Sequence, residues 1–194
     1  MKKLNNFTPF FILIFLVGFI GFAVHKISEK QENFVENANE DSTENSAQNL
    51  DERFIKEIIK LPEFSLPDLY DEKEEFSKRD LLKKYSLVNF FASWCTTCRA
   101  EHEVLMRLKD DNIIDIYGVA WRDIDENTKK YLAEHGNPYK KVATDSRALF
   151  TKLIGIKAVP ETLIIDQKGN VVARYSGNLE ESAIEEIKEF LAKR

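Results

Sequence analysis

Three regimes of apolar and polar positions follow one another along the chain. Residues 7–24 are almost wholly apolar, with Lys2 and Lys3 before them and His25 and Lys26 after. As a helix, those 18 residues span about 27 Å, close to the hydrocarbon thickness of a bilayer, which predicts one N-terminal transmembrane helix. A cleaved signal peptide is the competing reading, since Gly21 and Ala23 offer small residues at the right spacing, although the stretch is long for a signal h-region. Either way, the positive charges ahead of it and the acidic chain behind it favour an N-in orientation, so the downstream part is expected to be exported. Residues 28–49 then turn polar, rich in Asn, Glu, Ser and Gln with almost nothing apolar beyond Phe34 and Val35. A flexible coil of these 22 residues has an r.m.s. length of roughly 26 Å and reads as a tether.

From residue 61 the pattern alternates between period 2 and period 3.6. It predicts a weak strand at 63–66, a buried strand at 87–91 and another at 113–119, with helices at 97–108 and 126–134. A short helix follows at 146–153. Strands at 161–165 and 171–175 are joined by Gln167-Lys168-Gly169-Asn170, a strong hairpin signal, and a helix at 179–192 closes the chain. A β-α-β start, a hairpin and a final helix make a mixed central sheet with helices on both faces. The expected organisation is therefore a membrane anchor at 1–27, a flexible tether at 28–50 and a folded domain at 51–194, without internal repeats.

Composition narrows the chemistry. A net charge of −5 over 194 residues, with no basic patch interleaved with aromatics, argues against nucleic acid as a partner. Only two cysteines are present, Cys95 and Cys98, in the run Phe90-Phe91-Ala92-Ser93-Trp94-Cys95-Thr96-Thr97-Cys98-Arg99-Ala100-Glu101-His102. They fall where a strand hands over to a helix. A cysteine at a helix start receives free N–H groups and the positive end of the helix dipole, which lowers its thiol pKa and marks Cys95 as the nucleophile. Cys98, one turn further on, is the shielded partner, and two intervening residues let the sulfurs close a small ring and cycle between dithiol and disulfide. A purely structural staple is disfavoured because so short a loop restrains little unfolded-chain entropy. Zinc is disfavoured because there is no second cysteine pair and only His102 lies near. No metal and no cofactor is expected.

Trp-Cys-x-x-Cys at a strand-to-helix turn, with Val159-Pro160 entering a later strand, resembles the thioredoxin fold. The expected fold is thus α/β and thioredoxin-like, a mixed central β-sheet flanked by helices, preceded by one N-terminal transmembrane helix. The resemblance implies that the Val159–Pro160 bond is cis and lies beside the cysteines, leaving the Val159 backbone to pair with an incoming peptide. More narrowly, the stretches Trp-Cys-Thr-Thr-Cys-Arg-Ala-Glu-His at 94–102, Gly136-Asn137-Pro138-Tyr139, and Val-Pro-Glu-Thr-Leu-Ile-Ile-Asp at 159–166, followed by Gly169, resemble the membrane-anchored thioredoxin-like proteins of bacterial cytochrome c maturation, the DsbE or CcmG type. The similarity covers residues 61–192 and the anchor. It implies a single-pass protein of the bacterial inner membrane with its catalytic domain on the periplasmic side. Such a protein is expected to keep the haem-attachment cysteines of apocytochrome c, or those of another exported thiol protein, reduced with electrons from a membrane thiol transporter.

Two positions depart from common patterns. Ordinary thioredoxins carry a buried Asp six residues before the first cysteine, where this chain has Asn89, in agreement with the cytochrome-maturation group. That group usually carries proline where this chain has Thr96, which adds a hydroxyl and removes rigidity. With Asn89 neutral, acid/base help is expected from Glu101, six residues after Cys95, and from Glu161, immediately after Pro160 and expected to face the cysteines. Carboxylates near a thiolate raise its pKa, which favours the disulfide and makes a better reductant. An isolated Glu on a helix is more simply a solvated surface charge. His102 reads as a packing or surface histidine, and Trp94 as a shaper of the cysteine surface. The function expected is an exported, tethered thiol:disulfide oxidoreductase acting as a reductant. The alternatives are a module that binds apocytochrome or another partner, and a general exported reductase or oxidase with a different client.

Overall fold

A computed structural model describes residues 59–193. The predicted membrane crossing, the tether and the first residues of the 51–194 domain lie outside the described residues. Among the described residues, no helix is long and apolar enough to cross a membrane.

The elements run β1 (Ile59–Lys60), β2 (Ser65–Pro67), β3 (Glu75–Ser77), a 3-10 turn (Lys78–Leu81), β4 (Ser86–Phe91), α1 (Thr96–Ala100), α2 (His102–Asp111), β5 (Asp115–Trp121), α3 (Asp125–His135), β6 (Lys141–Asp145), α4 (Leu149–Leu153), β7 (Glu161–Ile165), β8 (Asn170–Ser176) and α5 (Glu181–Ala192). Six strands form one mixed sheet in the order β1-β8-β7-β4-β5-β6, and β2 and β3 pair separately. Strand β4 runs parallel to β5 and antiparallel to β7, and β5 runs parallel to β6. This is the mixed sheet with flanking helices that the sequence predicts.

Every residue of β4 is buried, as expected of a central strand covered on both faces. Alternation divides it. Leu87 and Phe91 share a core with Val104, Leu105 and Leu108 of α2 and Ala183, Ile184 and Ile187 of α5, whereas Val88 and Phe90 face Leu163, Ile165, Phe76 and Phe150. Asn89 alternates onto the first of these faces.

Several expected boundaries move for local reasons. The predicted helix 97–108 divides at Glu101 (φ −84°, ψ −8°), the residue whose carboxylate turns into the core. The short helix begins at Leu149 rather than 146, because the Asp145 carboxylate accepts the N–H groups of Leu149 and Thr151 at 2.8 and 2.9 Å and Ala148 is left-handed (φ 54°). The last helix starts at Glu181 rather than 179, since the Leu179 N–H is committed to the Glu101 side chain at 2.8 Å. The strand expected at 113–119 starts at Asp115, after a left-handed Asn112 ends α2. The weak strand expected at 63–66 is observed at Ser65–Pro67. Strand β6 had no separate periodic signal, because four of its five residues are buried whatever their polarity.

Candidate active site

The strand-to-helix turn after β4 carries Cys95 and Cys98 joined as a disulfide, with Cα atoms 5.3 Å apart. Cys95 is the N-cap of α1, and its Sγ accepts the Cys98 N–H at 3.2 Å. The Thr97 hydroxyl lies 3.3 Å from the same sulfur, so the hydroxyl that meets Cys95 is that of Thr97, while Thr96 is exposed. Both cysteines are buried as residues. The Val159–Pro160 peptide is cis, and the Val159 carbonyl oxygen lies 3.6 Å from Cys95 Sγ. Two segments 64 residues apart therefore meet at the reacting sulfur. The Cys98 N–H at the start of α1 is a donor aimed at this sulfur, the kind of contact that favours a thiolate.

Three residues after Cys98, Glu101 belongs to a buried polar chain. The Asn89 side-chain amide donates to Glu101 Oε1 at 2.8 Å and to the Thr162 hydroxyl at 2.9 Å, and the Tyr139 hydroxyl donates to Asn89 Oδ1 at 2.7 Å. The second Glu101 oxygen takes the Leu179 N–H. Glu101 and Asn89 have no solvent exposure at all. Burial pushes the Glu101 carboxyl up from 4.5 to about 7, against the pull of the Leu179 N–H and the Asn89 amide, which both favour the charged form. Glu101 is therefore no solvated helix-face charge. Tyr139, whose phenol burial drives well above its ordinary value, belongs to the Gly-Asn-Pro-Tyr stretch, but nothing local in the sequence assigns it to Asn89.

Glu161 goes elsewhere. The register places Glu161 opposite Phe90 of β4 and Thr162 opposite Asn89, so strand alternation sends Glu161 to the sheet face away from Asn89 and Glu101. There its carboxylate pairs with Arg174 of β8. Burial raises its carboxyl, with Arg174 opposing. The expectation that Glu161 faces the cysteines is corrected by this pairing. Its neighbour Thr162 is the residue that reaches the buried network.

His102 packs edge-on against Tyr131, and its Nε2 lies 3.1 Å from both the His135 and Gly136 carbonyls. Burial lowers its pKa, as for a neutral packing imidazole. Trp94 is exposed beside Cys95, with its indole N–H donated to the Arg122 carbonyl at 3.3 Å. Among the described residues, no cluster of three or more His, Cys, Asp or Glu side chains has the arrangement to hold a metal ion.

The redoxin family matches residues 59–191. The thiol:disulfide interchange protein HelX of Rhodobacter capsulatus is 42% identical over 101 residues, covering 52% of this chain and 57% of HelX. The thiol:disulfide interchange protein DsbE of Allochromatium vinosum is 34% identical over 133 residues, covering 68% of this chain and 74% of that protein. The chain spans less than two thirds of the length of HelX and of two further DsbE relatives. Among solved structures, a thiol:disulfide interchange protein of the thioredoxin family from Chlorobium tepidum superposes with a TM-score of 0.59 at 25% identity, over 71% of this chain and 98% of that one. Matched by the family model across the whole sheet and by a DsbE interchange protein over two thirds of its length, this chain belongs to the redoxin family, among the thiol:disulfide interchange proteins of the DsbE type.

Proposed function

We propose that the protein is a thiol:disulfide oxidoreductase that works outside the cytoplasm as a reductant, and that its client is apocytochrome c at its haem-attachment cysteines. The observation that carries the reading is the Cys95–Cys98 disulfide itself, set at the start of α1 with the Val159 carbonyl beside Cys95 Sγ. A donor dithiol, supplied by a membrane thiol transporter, reduces this pair with two electrons. The Cys95 thiolate then attacks one sulfur of the client disulfide, forming a mixed disulfide and releasing the other client sulfur as a thiolate, which takes a proton. Cys98 loses its proton and attacks Cys95 Sγ, which restores the intramolecular disulfide and frees the second client thiol. Glu101, three residues after Cys98 and with a pKa of about 7, is suited to take the Cys98 proton near neutral pH. Asn89, Thr162 and Tyr139 hold its carboxylate in place. Trp94 and Val159 border the sulfur that the client must reach.

In this reading residues 1–27 anchor the chain in the inner membrane as one transmembrane helix, 28–50 form the tether, and 51–194 stand on the periplasmic side. The apolar run at 7–24 and the flanking Lys2 and Lys3 support that placement.

The test is the reduction potential of the Cys95–Cys98 couple in the purified full chain, equilibrated with glutathione or dithiothreitol buffers and read by thiol alkylation. A value near or below roughly −200 mV is expected of a reductant, and one near about −120 mV would make the protein an oxidant. A Cys95→Ser, Cys98→Ser double variant is expected not to support cytochrome c maturation in a strain lacking the wild-type protein. Full support would make it a binding module.

A further inference from the structure

Trp94 is 56% exposed, yet it is firmly held. Its indole N–H bonds to the Arg122 carbonyl, and the preceding residue is clamped on every polar atom. Ser93 donates its N–H and hydroxyl to the Asp123 carboxylate at 2.5 and 3.0 Å, while its carbonyl accepts Nε and Nη2 of Arg99 at 3.1 and 2.8 Å. Asp123 is fixed in turn by the Ile124 N–H and the Thr128 hydroxyl, at 2.8 and 2.9 Å. Arg122 has a φ of 47°, a left-handed conformation that a non-glycine residue adopts at a cost and that clusters at functional loops.

The loop that holds Trp94 carries further apolar side chains. The Trp121 ring lies 6.0 Å from that of Trp94, and the Arg122 guanidinium sits over Trp121 at 4.9 Å. Ile124, next to Asp123, is 61% exposed. An apolar side chain left in water and immobilised beforehand loses little entropy when a partner covers it, which is why fixed tryptophans dominate recognition surfaces. The occupant follows from continuity with the reacting sulfur. A client sulfur attacked by Cys95 brings its own chain to the Val159 carbonyl beside that sulfur and to Trp94, the residue before Cys95, so the residue next to the client cysteine comes within reach of Trp94 and the loop that holds it.

Resting on the oxidoreductase reading above, we propose that Trp121 and Ile124 join Trp94 in a specificity ledge that selects client disulfides whose attacked cysteine is flanked by an apolar side chain. Trp121 and Ile124 act on the choice of client, while the exchange itself stays with Cys95 and Cys98.

The experiment uses the full chain, reduced with dithiothreitol and freed of it, and peptides closed by an internal disulfide. The peptides are identical except that the residue before the first cysteine is leucine, tryptophan, serine or glycine. Rates are read by acid quench and separation of reduced from oxidised peptide. The apolar-flanked peptides are expected to react about tenfold faster than the serine and glycine peptides, the effect of withdrawing roughly half of a large apolar side chain from water. In Trp121→Ala that ratio is expected to fall to within about twofold of unity. Ile124→Ser, at a side chain too exposed to matter for folding, is expected to lower the ratio as well and keeps the test decisive if Trp121→Ala does not fold. Equal rates for all peptides in the wild type, or an unchanged ratio in both variants, would overturn the ledge. Hydroxyethyl disulfide separates the two readings: its reduction without peptide discrimination refutes only the ledge, whereas failure to reduce it or any peptide refutes the oxidoreductase assignment.

Discussion

Replacing Glu101 by Gln is the perturbation whose size follows most directly from the buried network. In the folded protein the carboxyl titrates at about 7, against 4.5 in an exposed setting. A carboxyl with a raised folded pKa keeps its proton in the fold while the unfolded chain has lost it, so stability falls as pH rises from 4.5 to about 7 and is level outside that window. About 2.5 pH units at about 1.36 kcal/mol each give a loss on the order of 3 kcal/mol between acid and neutral pH. His102 contributes with the opposite sign: its lowered folded pKa makes stability fall as pH drops below the ordinary imidazole range. The two trends overlap in the wild type, so the informative quantity is the difference between wild type and Glu101→Gln. The amide presents only one acceptor to the two donors Asn89 Nδ2 and Leu179 N–H, which costs about 1–3 kcal/mol at every pH. The variant is therefore expected to be less stable than wild type at pH 5 and to draw level or overtake it by pH 8. Urea unfolding of the oxidised full chain across this range, with the disulfide intact, measures both curves. If the difference between them does not change with pH, Glu101 keeps an ordinary carboxyl pKa and the proton-acceptor role falls with it.

Three further outcomes are expected. In Cys98→Ser the mixed disulfide of Cys95 with the client is no longer resolved and should accumulate on non-reducing gels after alkylation; absence of any adduct would remove Cys95 as nucleophile. In Gly118→Ala the new Cβ would stand 2.8 Å from the Tyr139 ring and 3.0 Å from Phe91, so the urea midpoint should drop by the equivalent of about 1–3 kcal/mol, and an unchanged midpoint would show that the Tyr139 packing yields. Arg174→Met strands the buried Glu161 carboxylate and is expected to cost about 2–3 kcal/mol, most of it recovered in the double variant with Glu161→Gln; additive losses would mean the two do not act as a pair.

What the chain alone determined is what depends on neighbours in sequence. The cysteine turn was legible because its contacts are three residues apart and because a buried strand gives way to a helical pattern there. The hairpin at Gln167–Asn170 was legible for the same reason: the Asp166 carboxylate and the left-handed Gly169 close it locally. Tertiary structure decided the rest. Asn89 reaches Tyr139 and Thr162 across 50 and 73 residues, and Glu101 meets Leu179 across 78, so a glutamate that reads as solvated by its helix neighbours is enclosed by strands and a loop that no local pattern joins to it. Glu161 shows the converse. Its place beside Pro160 was plain, but the face it occupies is set by the pairing of β7 with β4, and a register of period 2 sends adjacent side chains to opposite faces.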